Sequence, residues 1–474
     1  MPKSCGWTTK QFTADPWRPY YHIAAKTGLI NDPNGFSFHQ GRFQLFYQWN
    51  PFGCEHKNKH WGHFSSSDLI HWQAHPAALA PTDWFDKNGC YSGTAVSEGE
   101  ILNLYYTGNV RQGEQRLSYQ CKAVLHPDGH VEKLGPMNIE ALSNYTGHVR
   151  DPKYLSWQDQ SWLILGAQTL GQRGGICLLQ QQQEQWLERR FISQEINLGR
   201  PQQAYMWECP DLFELDQQWL LLACPQGIEL DQAEYTTTNL SGYFTVDMSA
   251  GPAELTINSE FNLLDHGFEF YAPQTLQHQG TTLLIGWLGL PDDGEHPSVR
   301  HNWTQMLGLP RSLSWENGCL RQRPIPAFKA LAQAQQGDSY GSGEHQLKGF
   351  SRSCMLDIEF TECSVFQLSL PSADDSFSLH WSEGTLVVER GELGPLNSDT
   401  KRTYQSRNGN LRQLQLFIDS SSFELFVNDG EAVLSGRLFP QQAWHTGQFK
   451  LESGQAKLQL TQLSNSWIEE DLDA

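Results

Sequence analysis

Several things this 474-residue chain does without narrow its function quickly. Its ten cysteines, scattered from Cys5 to Cys363, include no Cys-x-x-Cys pair and no cysteine–histidine group at zinc-ligand spacing. No metal and no cofactor is therefore expected. Scattered thiols in a chain this long read as reduced and buried, which points to the cytoplasm. Basic residues are scarce, 33 Lys and Arg against 53 Asp and Glu, for a net charge of −20. That balance argues against nucleic acid and against anionic membrane surfaces as partners, since both select basic patches. No apolar run approaches about 18 residues, so no membrane-spanning helix is expected. Met1 to Trp7 opens the chain without an apolar stretch, so no signal peptide is expected either. Sustained helical periodicity is almost missing, and low-complexity tracts are absent.

Aromatic residues are plentiful: 17 Trp, 24 Phe and 15 Tyr. Most must fill packed sheets, because aromatic rings bury large areas efficiently. They fall in short apolar runs bounded by Gly, Asp, Asn and Gln, the pattern of an all-β chain. Phe43–Tyr47, Leu102–Tyr106, Trp162–Leu165, Trp219–Leu222 and Leu283–Trp287 recur roughly every 60 residues. Five such units predict a five-bladed β-propeller that closes near residue 325. Residues 326–342, rich in Ala, Gln and Gly, read as a short helical or linking segment. From residue 343 to 474 strand patterns return, as in Leu414–Ile418 and Phe423–Val427, and suit a β-sandwich. Length alone leaves homo-oligomerisation open. The acidic end Glu469–Asp473 reads as a solvated tail.

Three acidic side chains stand in words built for sharp local geometry: Asp32 in Asn31-Asp32-Pro33-Asn34-Gly35, Asp151 in Arg150-Asp151-Pro152, and Glu208 in Trp207-Glu208-Cys209-Pro210. Each precedes a repeat strand, so each holds a comparable early position in its blade. In a propeller that position lines the axial funnel, where residues far apart in sequence meet. Three converging carboxylates suit glycosyl transfer, in which one attacks, one protonates the leaving oxygen, and one steadies the cationic sugar.

These words, together with Phe46-Tyr47-Gln48-Trp49-Asn50-Pro51, Trp61-Gly62-His63, Tyr91-Ser92-Gly93, Phe268–Gln274 and Gly286–Gly289, resemble glycoside hydrolase family 32 along nearly the whole chain. Asp419–Phe439 is similar to that family's C-terminal signature. The resemblance implies a five-bladed propeller with a β-sandwich, and a retaining β-fructofuranosidase acting on sucrose or sucrose 6-phosphate. Short fructans or raffinose-type sugars are the alternative substrates, and a non-catalytic carbohydrate-binding propeller is the remote alternative. By matching words, Asp32 would be the nucleophile, Glu208 the acid and then base, and Asp151 the stabiliser, kept ionised by Arg150. Leu29, Ile30, Asn31, Gln48, Tyr91, Ser92, Arg150 and Trp287 are the expected substrate contacts.

Two departures from the family pattern stand out. Glu269 replaces a more usual Asp, which leaves its role open. His56 stands where a Trp is common, in the basic word Glu55-His56-Lys57-Asn58-Lys59-His60. A phosphate on the substrate would want cations there, so His56, Lys57 and Lys59 are candidate phosphate contacts, with a solvated charged loop as the alternative. Cys209 reads as a packing or tuning residue, because no base accompanies it. Asp68–Trp72 (DLIHW) reads as structural.

Overall fold

The computed structural model describes residues 15–230, 235–372 and 375–467. The opening residues 1–7, Cys5 and the tail 469–473 lie outside this range.

Five blades surround one axis, as the spacing predicts. The first comprises Gly28–His39, Arg42–Asn50, His60–Ser66 and Trp72–Leu79. The second runs through Cys90–Glu98, Ile101–Gln112, Gln115–Leu125 and Val131–Pro136. The third spans Tyr145–Trp157 to Gln185–Ile192, the fourth starts at Met206–Leu215, and the fifth runs from Tyr271–His278 to Cys319–Pro324. The apolar runs recognised in the sequence are the second strand of each blade. They lie between neighbouring strands and bury both faces, hence their continuous hydrophobicity. Outer strands such as Val131–Pro136 alternate exposed and covered residues, because one face meets water. The ring closes where the first blade's inner strand packs on the fifth's. There Gly28 and Leu29 also pair in parallel with Trp303 and Thr304.

The three acidic words were expected to be turns. They are instead irregularities inside inner strands. Pairing shifts register between Ile30 and Pro33, opposite Asp151-Pro152, between Glu208 and Asp211, and between Tyr271 and Gln274. The residue before proline takes a left-handed backbone in three blades: Asp151 at φ 61°, Cys209 at 46° and Ala272 at 48°. A proline cannot donate to the ladder, so it settles at a bulge, and the bulge re-aims the flanking side chains. Turn-like composition thus marks a kinked strand aimed at the axis.

The C-terminal region is a sandwich made by folding one continuous ten-stranded sheet. Its long strand Thr446–Leu463 pairs with Val365–Pro371 through residues 448–451 and with Cys354–Thr361 through residues 455–462. The corner between these halves contains Gly454, whose φ of 89° suits glycine. Phe350, Phe366, Phe377, Trp381, Phe423 and Phe449 fill the space enclosed. The segment expected as a linker is only partly one. Pro326–Leu331 forms a 3-10 turn, but Ala332–Lys348 is a strand lying against Thr446–Leu463. That strand is almost wholly exposed, so its pairing rests on backbone hydrogen bonds and leaves no apolar alternation to read.

Buried ions join propeller to sandwich. Arg311 of the fifth blade donates to Glu424 at 2.7 Å and to Asp265 at 3.0 Å. His22 bridges Asp419 and Glu424 at 2.9 and 3.1 Å. Glu269, whose role the sequence left open, clamps Arg390 with two contacts of 2.6 and 2.8 Å and accepts the Arg437 N–H. Asp419, Glu424, Ser435 and Arg437 all belong to the C-terminal signature word, which is therefore the sandwich's half of this interface.

Candidate active site

Asp32 lies half-buried on the first blade's inner strand, and both its oxygens are held. Asn31 Nδ2 donates to Oδ1 at 3.0 Å, and Ser92 Oγ donates to Oδ2 at 2.5 Å. Ser92 in turn accepts from Gln48 Nε2 at 2.6 Å. Behind Asn31 sits Lys59, buried, with its ammonium against Asn31 Oδ1 and 3.1 Å from His56 Nδ1. An ammonium offers only donors, so it turns the Asn31 oxygen towards itself and the amide NH2 towards Asp32. Burial pushes the Lys59 ammonium down to about 7. Lys57 behaves differently. It is exposed and pairs with Glu55 at 2.6 Å, and no contact joins it to the acids among the described residues. The basic word thus splits into one buried clamp and one surface ion pair.

Asp151 comes from the third blade and accepts the Cys209 N–H at 3.0 Å, while its own N–H donates to Thr107 Oγ1 at 3.1 Å. The Cys209 sulfur lies 3.7 Å from Asp151 Oδ2 and 3.8 Å from Asp32 Oδ2, between the two carboxylates. Burial raises the carboxyl of Asp151 to about 7, countered by Arg150 and reinforced by Glu208 and Asp32. Burial also raises Asp32, against the hydrogen bond from Ser92 and with the charge of Glu208. The Cys209 thiol is driven well above its ordinary range by burial and by both acids, so it stays protonated and is no nucleophile.

Glu208, on the fourth blade, is the most tightly tethered of the three. Arg150 donates to its Oε1 from Nη2 at 2.7 Å and from Nε at 3.0 Å. Tyr271 OH and Gln226 Nε2 each donate to Oε2 at 2.8 Å. Arg150, expected to pair with one of the acids and to keep Asp151 ionised, pairs with Glu208 and approaches Asp151 more loosely, at 3.8 Å. The bulges explain this. Arg150, Glu208 and Tyr271 each directly precede the left-handed residue of their blade, so they are structural equivalents facing one another around the axis. Asp151 and Cys209 occupy the next position and meet in the same way.

The remaining expected contacts divide. Trp287 is buried beside the site, with ring centroids 6.1 Å from Tyr271 and 5.7 Å from His56. Leu29 and Ile30 point into the core, 2 % and 0 % exposed. Tyr91 is half-buried and lies against Arg116 at 5.8 Å. Tyr271, Gln226 and Thr107 were not foreseen. For Tyr271 a signal existed: Tyr271-Ala272-Pro273 has the same form as Arg150-Asp151-Pro152 and Glu208-Cys209-Pro210, one per blade. Asp68, in the word set aside as structural, is held by the Ile70 and His71 N–H groups on a turn before the first blade's outer strand.

A propeller whose axis gathers three carboxylates on bulged inner strands has the design of a carbohydrate-cleaving enzyme. Residues 22–324 match the glycosyl hydrolases family 32 N-terminal domain, and residues 327–465 match the family 32 C terminal domain. The chain belongs to glycosyl hydrolases family 32. It is 38% identical over 440 residues to the sucrose-6-phosphate hydrolase of Bacillus subtilis, with 90% of each chain covered. To the Salmonella typhimurium sucrose-6-phosphate hydrolase it is 40% identical over 436 residues, again covering 90% of both. The solved sucrose-6-phosphate hydrolase of Lactobacillus gasseri superposes with a TM-score of 0.86 at 29% identity, over 96% of this chain and 95% of that one. A Bombyx mori β-fructofuranosidase variant solved with sucrose gives 0.80 at 27% identity, over 96% and 95%.

Proposed function

We propose that this chain is a retaining β-fructofuranosidase that hydrolyses the fructosyl bond of sucrose and of sucrose 6-phosphate. The observation that carries this reading is the meeting of Asp32 and Asp151 across the Cys209 sulfur, with Glu208 the adjoining residue. Asp32 attacks the anomeric carbon of the fructosyl unit and forms an ester as the bond to the leaving oxygen breaks. Glu208 delivers its proton to that oxygen, then takes one from the water that displaces Asp32. Two donors hold the Asp32 oxygens, so attack needs little reorientation of the carboxylate. Asp151 binds fructosyl hydroxyls as positive charge develops at the ring. Asn31, Gln48 and Ser92 fix the nucleophile's surroundings, and Trp287 supplies an apolar wall.

The names of the sucrose-6-phosphate hydrolases above and the sucrose complex of the silkworm enzyme support this choice of substrate. Nine described cysteines are free, which suits a reducing compartment such as the cytoplasm. No described helix is long and apolar enough to cross a membrane. In the same reading, residues 1–325 form the catalytic unit.

Glu208→Ala tests the assignment. Turnover of sucrose should collapse, and azide should restore consumption of an activated fructoside, since azide needs no general base. Retained turnover, or loss without azide rescue, rejects Glu208 as the acid and base.

A further inference from the structure

A cluster of cations stands beside Glu208 that the reaction above does not use. Arg111 and Arg116 face each other across the second blade's hairpin, joining Ile101–Gln112 to Gln115–Leu125. Like charges directly opposite on a hairpin are unfavourable, so the pairing asks for a reason. Arg116 Nη1 lies 3.2 Å from His148 Nδ1, and Arg150 Nη1 approaches the same nitrogen at 3.0 Å. Two guanidinium donors on one ring nitrogen make that nitrogen an acceptor, which leaves the imidazole neutral with its proton on Nε2. Charge repulsion agrees: burial and the cations Arg150, Arg116 and Arg111 push His148 down to about 4, against the pull of Glu208. Arg116 is itself lowered by burial and by Arg150 and Arg111, against the Tyr91 hydroxyl and Glu208.

The geometry that packs these groups together is specific. A Cβ on Gly147 would lie 2.1 Å from the Arg116 carbonyl oxygen, so the hairpin tip rests directly on the third blade's inner strand. Arg150 is committed to Glu208. Among the described residues neither Arg111 nor Arg116 has an ion-pair partner, in a chain of net charge −20. The cluster is reached from Glu208 through Arg150 and His148. In the fructosidase reading Glu208 protonates the oxygen of the leaving sugar, so cations gathered on its Arg150 side are placed to meet that sugar. In sucrose 6-phosphate the phosphate is carried by the leaving glucosyl unit.

We propose that Arg111, Arg116 and the Nε2–H of His148 form the recognition site for a phosphate monoester on the departing sugar. This rests on the fructosidase reading above and deepens it. A dianion placed there relieves the repulsion among the guanidiniums and takes charge-assisted hydrogen bonds from two of them. The proposal places the phosphate away from the basic word around His56, where Lys59 meets Asn31 and Lys57 pairs with Glu55.

The test compares sucrose with sucrose 6-phosphate in the wild type and in Arg111→Gln, Arg116→Gln and Arg116→Lys. The preference for the phosphorylated substrate, as a ratio of kcat/KM values, should fall about 10-fold or more in each Gln variant. Arg116→Lys should keep an intermediate preference. Inorganic phosphate, added to separate a free anion from a sugar-borne one, should inhibit wild-type cleavage of sucrose competitively and raise the wild-type Tm. Both effects should weaken in Arg116→Gln. An unchanged ratio, or equal losses on both substrates, overturns the proposal. If the wild type cleaves sucrose yet neither prefers the phosphorylated sugar nor responds to phosphate, the cation site is wrong and the fructosidase reading stands. If neither sugar is cleaved, the fructosidase reading fails, and a phosphate-induced Tm shift lost in Arg116→Gln would still identify an anion site. Absence of that shift would remove it.

Discussion

The propeller axis and the propeller–sandwich interface use the same side chains to opposite ends. At the interface, carboxylates and guanidiniums are matched. Arg311, Arg390 and Arg437 are at most 1 % exposed on their side chains or residues, and each faces carboxylates, carbonyls or hydroxyls. Glu424 is held below its ordinary range there, because Arg311 and His22 outweigh burial, although burial still raises Asp265 and lowers Arg437 to about 10. At the axis three acids share one committed guanidinium, and Asp32 and Asp151 are raised. Matched buried ions specify a docking geometry. Under-matched ones hold charge that costs stability until a substrate accepts it. The same chemistry therefore serves structure where it is balanced and reactivity where it is not.

The comparison breaks most sharply on substitution. Asp32→Asn should lower kcat by about 10²–10⁴-fold or more while the Tm holds or rises, and Glu208→Gln should lower kcat as far but lower the Tm as well, because it leaves the buried Arg150 without its carboxylate, measured by initial rates and calorimetry. Arg311→Met should do the reverse. It leaves Glu424 and Asp265 buried without their cation and should cost about 3–5 kcal/mol in denaturant titration. Residual folded enzyme should still turn over. A large activity loss with no stability loss in Arg311→Met would erase the distinction.

Asp151→Asn sharpens the comparison through pH. A carboxyl raised to about 7 in the folded protein, against about 3.9 in the unfolded chain, favours folding fully only below the lower value. That contribution is lost as pH rises through about 7. The Asn variant should therefore melt above the wild type at pH 8, and the gap should close below about pH 4. An Asn variant less stable than the wild type at pH 8 would place Asp151 with the matched ions. The smallest effect belongs to Lys57→Ala. Its exposed pair with Glu55 should be worth less than about 1 kcal/mol, and kcat/KM on either sugar should not change.

Much of this was legible in the sequence. The spacing of apolar runs reveals the blades because a strand covered on both faces cannot be polar. The acids are visible because Asp-Pro, Cys-Pro and Asn-Gly words report unusual backbone geometry. What those words do not report is which unusual geometry, so strand bulges read as turns. Side-chain pairing is less visible still. Lys57 and Lys59 are two residues apart and look alike, yet one meets Asn31 beside Asp32 and the other pairs with Glu55 at the surface. Arg150 adjoins Asp151 in sequence but serves Glu208, because its partner is set by register between blades. The strand Ala332–Lys348 escaped because an exposed strand needs no hydrophobic pattern.

The central claim is that Asp32 is the under-matched acid that becomes covalently linked to the sugar. Glu208→Ala incubated with an activated fructoside should accumulate that species, since the missing base slows its hydrolysis. Mass spectrometry of the digested protein should then find a single fructosyl group on the peptide carrying Asp32, removed on adding azide. A fructosyl group on a different acidic residue, or product released with no adduct at any time, would contradict the account.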